Sequence, residues 1–163
     1  MVTRILLVAG LMLQAAPANA QLSPTTFAGI PLWADSALRR AGLGQQLMLS
    51  STLNPVYALG DFDRDGLVDV AVEVKDTGGL RCGIAITRAM DRSVWILGAG
   101  RPLGNGANQI ACGRWRVEVA RHGRRQGGFS PDLVYALDAA GHGGWLVWDG
   151  TSYRWVQAEG SGA

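Results

Sequence analysis

Antiparallel hairpins in a mainly β single domain, propeller-like or barrel-like, with one short N-terminal helix: that is the fold class this sequence predicts. Three observations carry it. Short runs rich in Val, Ile, Trp and Tyr recur along the chain. Asp-Gly and Gly-Gly steps punctuate them at short intervals, as hairpin turns require. Only one stretch spaces its apolar residues for a helix.

In chain order, residues 1–20 come first. They carry one charge, Arg4, then an apolar run over 5–16, then Ala18-Asn19-Ala20. This is the pattern of a secretory signal peptide cleaved after Ala20, so export to the periplasm or beyond is expected, with residues 21–163 as the mature domain. No cysteine follows the cleavage site to take a lipid. The apolar run falls short of the roughly 20 residues a spanning helix needs, and no later segment approaches that length, so no membrane anchor is expected after cleavage. Roughly 140 residues then remain, the size of one domain with one core.

Residues 31–42 are the expected helix. Pro31 suits its first turn, Trp33, Ala37 and Leu38 share a face, and Gly42 ends it. Strands are expected over 56–59, 68–74, 83–87, 94–97, 115–119, 133–137, 145–148 and 153–156, with turns at 76–79, 91–92, 139–141 and 149–150. The last hairpin is the best specified, because Asp149-Gly150 lies between Trp148 and Tyr153. Residues 98–106 form a glycine-rich connection whose G-x-G start suggests a nucleotide loop. A dinucleotide loop must lead into a helix of a βαβ unit, whereas this one follows a strand and contains Pro102 and further glycines, so a mobile surface loop is expected, with Arg101 and Asn105 placed to meet a partner.

The most informative stretch is Asp61-Phe62-Asp63-Arg64-Asp65-Gly66-Leu67-Val68-Asp69. Short carboxylates at its first, third and fifth positions can converge on a hard cation, which takes about 6 to 8 oxygens at about 2.3 to 2.6 Å. Gly66 permits the bend that lets Leu67 offer its carbonyl, and Asp69 can close the shell. Ca²⁺ fits better than Mg²⁺, which demands a smaller octahedral shell with retained waters. An acidic turn without an ion would leave four acids in nine residues repelling one another. An EF-hand would need Glu at the twelfth position and a helix after it; Val72 stands there, and residues 68–74 alternate β-branched residues in the two-residue period of a strand.

A loop of this kind running into a strand, D-x-D-x-D-G-x-x-D-V-A-V, resembles the calcium-binding FG-GAP and VCBS-type repeats. The wider order GDFDRDGLVDVAVEV, RCGIAITR, WILGAGRPLGNG and LVWDGTSYRW resembles a group of small exported bacterial proteins with the same calcium loop. Residues 61–74 and the export signal are also similar to periplasmic immunity proteins that inhibit lysozyme-like effectors. The resemblance implies a calcium-bound β-domain that binds a protein target. Residues 121–137, arginine-rich and containing Ser-Pro, depart from the group.

Cys82 and Cys112 are the only cysteines, and in an oxidising compartment a disulfide between them is expected. It closes a loop of about 31 residues, worth roughly 3 to 4 kcal/mol in the chain-entropy model. Loss of Arg4 lowers the formal charge of +2 by one, and with four acids committed to the loop the remaining surface is mildly cationic. Arg114, Arg116, Arg121, Arg124 and Arg125 cluster in a segment expected to be a solvated loop or else a face for an acidic partner protein or an anionic cell-wall polymer. Nucleic acid is disfavoured by export and by the lack of interleaved aromatics. No G-x-S-x-G or H-E-x-x-H occurs, His122 and His142 sit in loop contexts, and Glu73 and Glu118 fall at strand positions read as solvent-facing, so no enzyme is expected. The leading functional expectation is a periplasmic calcium-stabilised inhibitor, an immunity protein against a cell-wall hydrolase or similar toxin. The alternatives are an adhesion module that stacks glycans on Tyr153 and Trp155, or a purely structural exported domain. Tyr153 and Trp155 lie two apart and so share a strand face, although aromatics of this size more often fill a core.

Overall fold

The computed structural model of the protein describes residues 29–51, 55–118 and 132–158. The expected signal peptide, Val119, Arg121, His122, Arg124 and Arg125 lie outside the described residues.

The helix forms where its signals place it. Pro31, extended at φ −53° and ψ 134°, accepts the first turn's amides of Ala34 and Asp35, and α1 (Leu32–Arg40) follows. Its inward face is Ala34, Ala37 and Leu38, while Trp33 lies at the flank under the Arg92 guanidinium, 4.4 Å from the ring centroid. Asp35 and Arg39 pair across one turn at 2.8 Å.

Nine strands follow among the described residues: β1 (Leu47–Leu49), β2 (Tyr57–Gly60), β3 (Asp69–Asp76), β4 (Cys82–Thr87), β5 (Val94–Gly98), β6 (Ile110–Glu118), β7 (Leu133–Asp138), β8 (Gly143–Trp148) and β9 (Tyr153–Gln157). All their pairings are antiparallel, in one sheet of order β1-β3-β4-β6-β7-β8-β9, with β2 beside β3 and β5 beside β4. The sheet curls into a half-barrel, so of the two architectures compatible with the sequence the barrel-like one is found.

β3 is buried on both faces. Val70, Val72 and Val74 point toward α1 with Ile30, Leu38, Leu43 and Leu47, while Ala71 joins Ile84, Ile86, Trp115, Val134 and Leu146 in the concave core. Glu73, on that concave face, is 2% exposed, which corrects the expectation that it faces solvent. Its carboxylate accepts the amide of Gly113 at 2.8 Å. The glycine-rich connection is likewise not a free surface loop. Leu103, 1% exposed, plugs into the concave core, and backbone bonds from Gly100 to Asn108 and from Leu103 to Ala107 fold the connection on itself.

The two halves of the sheet meet at a narrow seam. β4 shares five partners with β5 but touches β6 through one ladder pair, Cys82 and Ile110. Three ties close that seam: this pair, the Glu73–Gly113 bond, and the Cys82–Cys112 disulfide with Cα atoms 5.3 Å apart. The expected disulfide is present.

Candidate metal centre

The acidic loop joins β2 to β3 and is fixed at both ends and in the middle. Gly60 pairs with Asp69 across its base. Phe62, 2% exposed, drops into the concave core and folds its ring over Gly60, where a β-carbon would stand only 2.6 Å from it; a side chain at 60 is therefore excluded. The bend itself needs left-handed backbone at Arg64 (φ 69°) and Gly66 (φ 83°), and glycine takes that conformation at no steric cost.

Each of the first three aspartates divides its two oxygens. Asp61 Oδ2 accepts the amide of Gly66 at 3.1 Å, Asp63 Oδ1 that of Asp65 at 3.1 Å, and Asp65 Oδ1 that of Leu67 at 2.8 Å. Of the second oxygens, that of Asp63 accepts from Arg88 Nε and the other two have no partner. Asp61 Oδ1 and Asp65 Oδ2 are buried without a partner, and Asp61, Asp63 and Asp65 bring carboxylate oxygens within 4.8 Å of one another. A buried acceptor left unmade costs about 1 to 3 kcal/mol, more when charged, and converging anions repel in addition. A cation held between these oxygens removes both penalties, so the donor set fits calcium, a hard ion that takes carboxylate oxygen.

Asp69 is used differently from the expectation that it closes the shell. Its carboxylate is fully buried outside that three-member group; Oδ2 accepts the amide of Phe62 at 3.1 Å and Oδ1 that of Ala89 at 2.8 Å. It thus ties the loop to the chain leaving β4. Burial pushes its pKa up to about 7; the Ala89 and Phe62 amides oppose this, and the Asp63 and Asp65 charges add to it. Leu67 gives its amide to Asp65 and leaves its side chain 44% exposed at the tip.

Arg88, just after β4, and Tyr153 of β9 flank the loop. The Arg88 guanidinium donates through Nε to Asp63 Oδ2 and through Nη1 to Asp91 Oδ2 at 2.9 Å, and stands 4.8 Å from the centroid of the Trp148 ring. Burial works against its charge, yet the bond to Asp63 and the neighbouring acids hold its pKa raised. Tyr153 is 7% exposed and its hydroxyl has no hydrogen-bond partner. Burial raises the phenol's pKa strongly, and the Asp69 and Asp63 carboxylates raise it further, which places it within electrostatic reach of the loop.

Tyr153 packs edge-on to Trp95 and against Trp148, with centroids 6.1 and 5.0 Å apart, and Trp155 is 9% exposed. Both of the residues read as a possible glycan platform therefore belong to the core. Arg101 is exposed, and Asn105 accepts the Ala107 amide at 3.0 Å and reaches Asp138 at 3.4 Å, where Asp138 also caps the turn to His142. A second set of close groups, Glu73 with Cys82 and Cys112, has its sulfurs in the disulfide and so offers no thiolate to a metal.

Sequence reasoning missed Arg88, 25 residues from Asp63. The hairpin register contains the signal: Val70 pairs with Thr87, which sets the next residue after β4 opposite Asp69 at the base of the loop. No protein-family profile, curated protein or solved structure matches this chain.

Proposed function

We propose that this chain is an exported calcium-binding protein that acts by docking to a protein target, an inhibitor or immunity protein against a cell-wall hydrolase or similar toxin. The observation that supports the calcium reading is the division of oxygens in the loop: three carboxylates with oxygens within 4.8 Å of one another each satisfy one amide, and two of them keep a buried second oxygen without a partner. Asp61 Oδ1, Asp63 and Asp65 Oδ2 would hold the ion, with Leu67 at the seventh position, while Asp69 at the ninth braces the loop through the Phe62 and Ala89 amides. The ion would supply charge neutralisation and stiffness rather than chemistry. A loop stiffened before docking loses less entropy in the complex, so occupancy raises affinity for a target without contact to it. Export rests on the composition of residues 1–20, and the target class on the resemblance to exported immunity proteins. Arg101 and Asn105 are exposed on the connection whose Leu103 is buried, which supports assigning them to target contact. The glycan-stacking alternative loses its platform with the burial of Tyr153 and Trp155.

The test is affinity capture with the purified protein from extracts of the producing strain and its relatives, with calcium and with chelator. A retained wall hydrolase or toxin, released by chelator and inhibited in a wall-lysis assay, is the expected result. Retention of no protein at micromolar bait rejects the inhibitor reading.

A further inference from the structure

We propose that Arg88 sets the loop's affinity for its cation, its guanidinium being the resident counter-charge that calcium must displace from Asp63. The inference rests on the calcium reading above. Among the three aspartates whose oxygens converge, Asp61 and Asp65 each keep one buried oxygen without a partner; Asp63 alone has both oxygens engaged, Oδ1 by the Asp65 amide and Oδ2 by Arg88 Nε. The Asp63 side chain is fully buried and that of Arg88 only 15% exposed, so the guanidinium is part of the site rather than a passing surface contact. Tyr153, whose buried hydroxyl is unpartnered and feels the same carboxylates, is a second polar group there whose capacity the protein leaves unused.

A calcium ion bound to Asp63 Oδ2 lies about 2.4 Å from that oxygen. With the guanidinium still on the same atom, two positive groups would stand within roughly 4 Å in a partly buried site, where like charges repel strongly. The alternative resting place for Arg88 already exists. Nη1 holds Asp91 Oδ2, the Asp91 side chain is 48% exposed, and the Trp148 face supports the guanidinium plane. Displacement therefore moves the arginine toward solvent without stranding a buried charge. Two consequences follow. The loop keeps its shape without an ion, because Arg88 neutralises the middle carboxylate; and calcium binds more weakly than it would to three uncommitted carboxylates.

The experiment is calorimetric titration of CaCl₂ into the wild-type protein, Arg88→Met and Arg88→Lys, each checked for folding by circular dichroism in chelator. Methionine keeps the stem and removes the charge, and the expected result is a Kd at least about tenfold lower than wild type. Lysine retains a point charge without the planar fork, and its Kd is expected between the two. In wild-type protein, the Arg88 Nε–H resonance is expected to shift on calcium addition together with the amides of Gly66 and Leu67, a readout that needs no variant. Unchanged or weaker binding by Arg88→Met, or loop amides that shift while Arg88 Nε–H does not, overturns the displacement and makes Arg88 a brace for Asp63. Absence of heat in all three proteins overturns the calcium reading itself, and the inference with it.

Discussion

Asp65 is the cleanest probe of the loop, because one of its oxygens holds the Leu67 amide and the other is buried without a partner. Calcium at about 100 times its Kd should stabilise the wild-type protein by about 2.7 kcal/mol, and Asp65→Ala should remove that gain in thermal melts run with and without the ion. An equal calcium-induced shift in the variant would place the ion elsewhere. Asp69 gives a pH dependence of opposite sign to the usual carboxylate. Its folded pKa of about 7 lies above the 3.8 of a free aspartate. Its contribution is therefore fully present below the unfolded value and is lost as pH rises through about 7 in chelated protein. Urea midpoints in chelator should fall between about pH 4 and pH 7, and Asp69→Asn should flatten that slope, whatever it does to stability at one pH. An Asp69→Asn protein with the same slope as wild type contradicts the buried state of Asp69, because the acids with lowered pKa values contribute equally to both. The acidic spacing was readable in the sequence because ligand geometry is local. The second uses of its members were not. Glu73 reads as the polar face of an alternating strand until another strand covers it, and Arg88 reads as the end of a strand until the register places it beside the loop.

The hairpins were readable for the same local reason: β-branched alternation over residues 68–74 and Asp149-Gly150 between aromatics specify β3 and the β8–β9 turn with little help from the rest of the chain. β1 was missed because Leu47-Met48-Leu49 has no β-branched residue and is a strand only by pairing with residues 74–76. β6 begins at Ile110 rather than Trp115, since its first residues are recruited by Cys82 and Asp138 across a register shift that no local pattern signals. The glycine-rich connection follows the same logic, as one leucine converts an open loop into a fitted one. Leu103→Ala should cost about 2 to 5 kcal/mol in urea unfolding and release the connection to rapid amide exchange. Unchanged exchange at the amides of Gly100 and residue 103, which donate to Asn108 and Ala107, would mean that the backbone bonds suffice and that Leu103 is not the anchor.

The halves of the half-barrel depend on one another through a shared concave core and a seam with a single ladder pair. Removing the disulfide by Cys82→Ala with Cys112→Ser should cost roughly 3 to 4 kcal/mol, read as a lower urea midpoint, because the unfolded chain regains the freedom of the closed loop. An unshifted midpoint would assign the seam to the ladder pair at 82 and 110, the Glu73–Gly113 bond and the core. Both candidate features sit close to this frame: Asp69 joins the acidic loop to the chain leaving β4, and Arg88 extends that chain to Asp63. An ion at the loop would therefore be felt where the two hairpins meet. The most direct test is calorimetric titration of CaCl₂ into chelator-free protein. One binding event is expected, with Kd on the order of 10⁻⁴ to 10⁻³ M and abolished in Asp61→Ala and Asp65→Ala. No heat from the wild type, or equal heat from the variants, would contradict the claim that these carboxylates hold a cation.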